Sequence, residues 1–115
     1  MIPHRVRVSE RATGRLRYLK SRTGLTPNIL GRFAFVLSAR DMCRLAHGPG
    51  DLAGLEFNAP TLFGEHQELY ELLLVRYAET ASDERDPGLV IASHIETGLH
   101  KMGHLRSLED MAALK

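Results

Sequence analysis

The sequence is poor in the residues that redox and cofactor chemistry draw on. Cys43 is its only cysteine, which excludes an internal disulfide and any multi-cysteine zinc or iron–sulfur centre. Its place in an apolar helical stretch predicts a packed thiol rather than a redox centre. Tryptophan is missing, and aromatics make up only 6% of the 115 residues. No apolar run approaches the roughly 18 residues of a membrane span, and no signal-peptide pattern is present. The expectation is a cytoplasmic protein with no membrane partner. Gly-rich phosphate loops and nucleophile elbows are also lacking. No catalytic residue, no cofactor and no enzymatic activity are therefore expected.

What is present is an uneven distribution of charge. Apolar residues make up 43% of the chain, enough for a core, and the formal net charge is only +1. Yet residues 1–44 carry ten Arg or Lys against Glu10 and Asp41, whereas residues 45–115 carry five against twelve Asp or Glu. Such asymmetry predicts a basic surface for an anionic partner, displayed on an acidic body. The length predicts one domain over 1–115, with a basic unit at 1–46 and an acidic helical remainder at 47–115.

The basic unit is patterned. Val6 and Val8 alternate with Arg5 and Arg7, the period-two signature of a half-buried strand. Ser9 caps a helix expected over Glu10–Arg22, with Ala12, Leu16 and Leu19 as its buried stripe. Arg11, Arg15, Tyr18 and Arg22 form a row on a neighbouring face, with Arg17 and Lys20 further round. Gly14, costly inside a helix, predicts a close backbone approach. Gly24 suits a left-handed helix end, and Thr26 followed by Pro27 starts a second helix. That helix is expected to run to about Ala46, burying Leu30, Phe33, Ala34, Leu37 and Met42. The fold class predicted is mainly α, a ribbon-helix-helix-like unit of one short strand and two helices followed by two or more helices. The strand has no partner of comparable strength within the chain, so pairing between copies, and hence an oligomer, is expected.

In this arrangement Arg5 and Arg7 reach a DNA groove. The α-helical row of Arg11, Arg15 and Arg22, with Arg17 and Lys20, contacts phosphates. Thr26 and Asn28 sit beside the exposed amides that open the second helix, where an anion is favoured. The remainder is plainer. Leu52–Phe57 predicts a short strand and Asn58-Ala59-Pro60 closes it. A helix over Glu65–Ala81 has Leu69, Leu72, Leu73 and Tyr77 at core spacing and an acidic face of Glu65, Glu68, Glu71 and Glu79. Asp86 and Pro87 open a further helix with Ile91, Ile95, Leu99 and Met102 inside, and residues 106–115 end the chain as a short helix or tail. Glu96, His100 and His104 share a face at i, i+4, i+8, but that spacing is poor for one ion, and no metal is expected.

Leu16-x-x-Leu19-Lys20, Thr23-Gly24-Leu25-Thr26-Pro27-Asn28 and Arg32-Phe33-Ala34-Phe35 resemble the N-terminal half of DndE proteins of bacterial DNA phosphorothioation. Leu62-Phe63-Gly64-Glu65 and His94-Ile95-Glu96-x-Gly98 agree, while residues 47–58 match poorly. The resemblance implies a non-catalytic accessory subunit that forms tetramers and binds duplex DNA, preferring nicked duplex, through basic side chains. It places the sulfur chemistry in partner proteins: a cysteine desulfurase, an iron–sulfur sulfurtransferase-like protein and an ATPase. Family members contact DNA through lysines. Lys20 matches one such position, and arginine replaces lysine elsewhere. Two other readings compete. One is a ribbon-helix-helix transcription regulator of its own operon, reading guanine through Arg5 and Arg7. The other is an adaptor whose acidic helices hold partner proteins.

Overall fold

The computed structural model describes residues 2–45 and 48–103, so the expected terminal helix at 106–115 and His104 lie outside the described residues. The elements are β1 (Arg5–Arg7), α1 (Glu10–Thr23), α2 (Pro27–Ala39), β2 (Glu56–Asn58), α3 (Ala59–Phe63), α4 (Gln67–Ala81) and α5 (Pro87–Lys101), with a 3₁₀ turn at Gly64–His66 ahead of α4. The mainly helical expectation, with a short strand ahead of two helices, describes this order.

The helix signals act as the sequence predicts. Ser9 Oγ accepts from Ala12 N to cap α1, and Gly24 ends the helix at φ 77°, a left-handed conformation that costs glycine nothing. Thr26 caps α2 through Ile29 N with Pro27 in its first turn, and Asp86 caps α5 through Gly88 N and Leu89 N. α2, however, stops at Ala39 rather than Ala46. The next two amides bond three residues back, Asp41 N to Ser38 O and Met42 N to Ala39 O, and Met42 leaves the helix at φ 55°. Cys43 therefore stands beyond the helix and is exposed, which corrects the expected packed thiol. Met42 and Phe33 are only partly buried.

The strand finds its partner inside the chain. β1 pairs antiparallel with β2, Val6 opposite Phe57 and Arg7 opposite Glu56. Further bonds extend the lacing: Val8 N to Leu55 O, Gly54 N to Val8 O and Ala59 N to His4 O. The expectation that β1 lacks an internal partner is thus corrected, and with it the reason for seeking that partner in a second copy. β2 itself spans Glu56–Asn58, shorter and later than the predicted strand. Val6 and Phe57 point inward while Arg5 and Arg7 face solvent.

The core is built on α2 and α5. Leu30, Ala34, Phe35 and Leu37 meet Ile91, Ile95 and Leu99. Gly98 lets the two backbones touch, since a Cβ there would stand 1.9 Å from the Ala34 carbonyl oxygen. Gly54 has the same role against Ser9 O at 2.2 Å, whereas Gly14 faces open space; the close approach expected at Gly14 belongs to these two glycines. α4 is rotated from its expected stripe. Leu74 and Tyr77 are buried, whereas Leu69 and Leu72 are 63% and 58% exposed.

Polar groups in this core are tied together. The buried His94 Nδ1 is 2.7 Å from Ser38 Oγ, and its ring lies edge-on to Tyr77 and Phe35. Burial pushes the imidazole down to about 4, so it is neutral near pH 7. Tyr77 Oη donates to Asp83 Oδ2 at 2.7 Å and accepts from Leu45 N at 3.2 Å. Arg85 binds both Asp83 oxygens, at 2.9 and 2.7 Å. That guanidinium, with the Tyr77 hydroxyl, holds the Asp83 carboxyl far below the usual carboxylate range.

Candidate nucleic-acid interface

α1 presents the basic row because its apolar positions are spent on the core. Ala12, Leu16 and Leu19 are buried, which turns Arg11, Tyr18 and Arg22 outward and leaves Arg15 half-buried beside them. Arg22 Cζ lies 5.5 Å from the centre of the Tyr18 ring, a cation–π contact between two exposed side chains. Arg17 and Lys20 stand further round and exposed, Arg17 above the segment Ala53–Leu55. No hydrogen bond or ion pair engages Arg11, Arg15, Arg17 or Lys20 among the described residues.

The other predicted site residues are placed differently. Arg5 and Arg7 share one carboxylate, Arg5 Nη1 to Glu56 Oε1 at 3.2 Å and Arg7 Nη2 to Glu56 Oε2 at 3.1 Å. Arg7 Nη1 also donates to Gly54 O. Thr26 Oγ1 is the α2 cap, 3.4 Å from Ile29 N, and Asn28 is half-buried in the first turn. The structure therefore gathers the α1 cations on one element and sets Arg5 and Arg7 apart, with a carboxylate between them.

It also shows a groove that spacing alone does not reveal. An open concavity of about 710 Å³ has Arg11 and Arg15 on one wall, His100 and Lys101 on another, and Cys43 and Arg44 on a third. Arg44 is set there by its bond to Ser82 O at 2.6 Å, and the Leu45 amide is held by Tyr77. Lys101 Nζ pairs with Asp41 at 2.5 Å and holds that carboxyl below its usual range. The amides of Ala53 and Glu10 do the same for Asp51. Ser9 Oγ donates to Glu96 Oε1 at 2.5 Å. No local signal places Arg44, His100 and Lys101 beside Arg11 and Arg15, because they meet only through the packing of α5 on α1 and α2. Among the described residues no three His, Cys, Asp or Glu side chains form a group able to hold a metal ion.

Residues 5–110 match the family of the DNA sulphur modification protein DndE. The chain belongs to the DndE family. The fold agrees: the crystal structure of DndE from Escherichia coli B7A, involved in DNA phosphorothioation modification, superposes with a TM-score of 0.73 at 29% identity, covering 89% of this chain and 98% of that one. A glycine-to-lysine mutant of DndE, also involved in DNA phosphorothioation, gives a TM-score of 0.72 at 27% identity over 89% and 99% of the two chains. No curated protein matches the chain. The stretches that carry the DndE likeness have structural duties here. Thr23–Asn28 is the α1–α2 turn. Leu62 and Phe63 are buried, and the Arg32 guanidinium binds Leu62 O at 2.6 Å and Thr61 O at 3.2 Å. His94, Glu96 and Gly98 meet Ser38, Ser9 and Ala34 from one helix. No helix among the described residues is long and apolar enough to cross a membrane.

Proposed function

We propose that this DndE-family chain is a non-catalytic, DNA-binding accessory subunit of phosphorothioate modification, with a preference for nicked duplex. The observation that carries this reading is the α1 surface. Three arginines and a tyrosine share its outer face, Arg17 and Lys20 flank it, and four of these five cations have no protein partner among the described residues. Free guanidiniums on a helix suit phosphate oxygens, which they bind bidentately. Thr26 and Asn28 at the start of α2 and Arg5 and Arg7 on β1 complete the DNA-facing set in this proposal. Sulfur transfer falls to other proteins of the system.

Assembly of several copies, a tetramer, belongs to the same proposal. Its support is now the outward stripe of Leu69, Leu72 and Val75 on α4, apolar side chains that a single copy leaves in water. The regulator alternative requires Arg5 and Arg7 to exchange the Glu56 carboxylate they share for guanine edges.

Competition binding decides between the readings. Nicked duplex is expected to bind more tightly than intact random duplex, and affinity is expected to fall with salt at a log–log slope of about −0.9 per phosphate contacted. A preference of about 1000-fold for one operator-like sequence, or a flat salt profile, would replace this reading with the regulator.

A further inference from the structure

We propose that the groove between α1, α5 and the segment after α2 is a binding site for a phosphate monoester, the terminal phosphate of a DNA strand at a break. Three observations lead there. The groove is concave and its volume of about 710 Å³ falls in the range of sites that enclose a small ligand, whereas the phosphates of an intact duplex lie on a convex rod. Its basic side chains are unevenly engaged. Lys101 is paired with Asp41, and Arg44 is held by Ser82 O, but the side chains of Arg11, Arg15 and His100 make no hydrogen bond or ion pair among the described residues. Its three carboxylates are each engaged through one oxygen: Asp41 Oδ2 by Lys101, Asp51 Oδ1 by two backbone amides, Glu96 Oε1 by the Ser9 hydroxyl. Four Arg or Lys side chains face three carboxylates across the cavity, and the free donors of Arg11 and Arg15 favour an anion there. A monoester carries nearly two charges where an internal phosphodiester carries one, and two arginines match its oxygens in a fork geometry.

The same chemistry is offered by a strand end and by a free mononucleotide or inorganic phosphate. The strand-end form rests on the DNA-binding reading above, whereas the phosphate site does not. Nicked duplexes with a phosphate on one side of the break, on the other, or on neither separate these sources when compared with mononucleotide and inorganic phosphate as competitors. Cys43 lines the groove and is the chain's only cysteine, so its rate of alkylation reports occupancy without any assumption about DNA.

A terminal phosphate is expected to raise affinity about tenfold, the worth of one charge-assisted hydrogen bond, and to slow Cys43 alkylation. His100→Gln is expected to erase that preference while binding of the hydroxyl-ended duplex stays unchanged. Arg15→Gln weakens both. Protection of Cys43 by mononucleotide at concentrations matching the phosphate-ended duplex would keep the site and assign it to a free monoester. Equal affinity for phosphate- and hydroxyl-ended nicks, with alkylation unaffected by any phosphate, would overturn the proposal and leave duplex binding standing. Failure of every duplex to bind would remove the DNA reading, and the alkylation series with inorganic phosphate would still decide the groove.

Discussion

His94 lies where no water reaches it, with one ring nitrogen on Ser38 and the other, Nε2, lacking a hydrogen-bond partner among the described residues. Its folded value of about 4 lies below the ordinary 6.5. Between those values the unfolded chain takes up a proton that the folded chain refuses. Stability is therefore full above pH 6.5 and lost as pH falls toward 4, by about 3 kcal/mol in all. Urea midpoints measured across this window are expected to drop steadily, and His94→Gln is expected to flatten the curve there whatever it does at pH 7. Asp83 acts lower down. Its carboxylate is stabilised by Arg85 and Tyr77, so its contribution is present above the normal carboxylate range and is lost as pH falls through and below it. Gly98 supplies a sharper test of packing. A methyl there collides with the Ala34 backbone oxygen, which cannot rotate away as a side chain does. Gly98→Ala is expected to cost about 3 kcal/mol by chemical denaturation, whereas Gly14→Ala, with open space around it, is expected to stabilise α1 by roughly 0.5–1 kcal/mol. Similar cost at both sites would mean that α2 and α5 are not in backbone contact.

At the scale of elements, α1 is where the sequence was most legible and where its function is most easily tested. Changing Arg15 and Lys20 together to alanine is expected to weaken duplex binding at every sequence and to flatten the salt slope by about two units. Stability is expected to change within about 0.5 kcal/mol at the exposed Lys20. Full affinity in this double variant would move the DNA face elsewhere. Both ends of α1 and the starts of α2 and α5 could be read because caps and prolines act over three or four residues, and Ser9, Gly24, Thr26, Pro27 and Asp86 each declare an end locally. The pairing of β2 could not, although the sequence predicts a strand over Leu52–Phe57, because its partner lies about fifty positions earlier. The same range problem hid the groove, whose walls come from α1, α5 and the turn after α2. α4 failed for another reason. Leu69, Leu72, Leu73 and Leu74 offer two overlapping stripes, and the one containing Tyr70, Leu74 and Tyr77, at i, i+4, i+7, is the one turned inward. Only the neighbours that receive it, Phe63 stacked on Tyr70 and Phe35 edge-on to it, decide between the two.

For the whole molecule, charge and shape set what it meets. The body measures 35 × 29 × 29 Å, so one copy laid along B-form DNA covers about ten base pairs at 3.4 Å each. Footprints are expected to come in multiples of that length if copies bind side by side. Sedimentation is expected to give a tetramer, and Leu72→Glu, which leaves the core untouched, is expected to yield smaller species; a monomer in both proteins would remove the assembly proposal. The lacing of β1 has a consequence for how binding proceeds. A basic N-terminal segment hung free would fold only on its target, and its association would carry the entropy loss and heat-capacity change of ordering a disordered chain. Here the amides of Val8, Gly54 and Ala59 are already committed to carbonyls across the β1–β2 pair. Their hydrogen exchange is expected to be slow before any DNA is added and nearly the same afterwards, and the heat capacity of association is expected to be that of two preformed surfaces meeting.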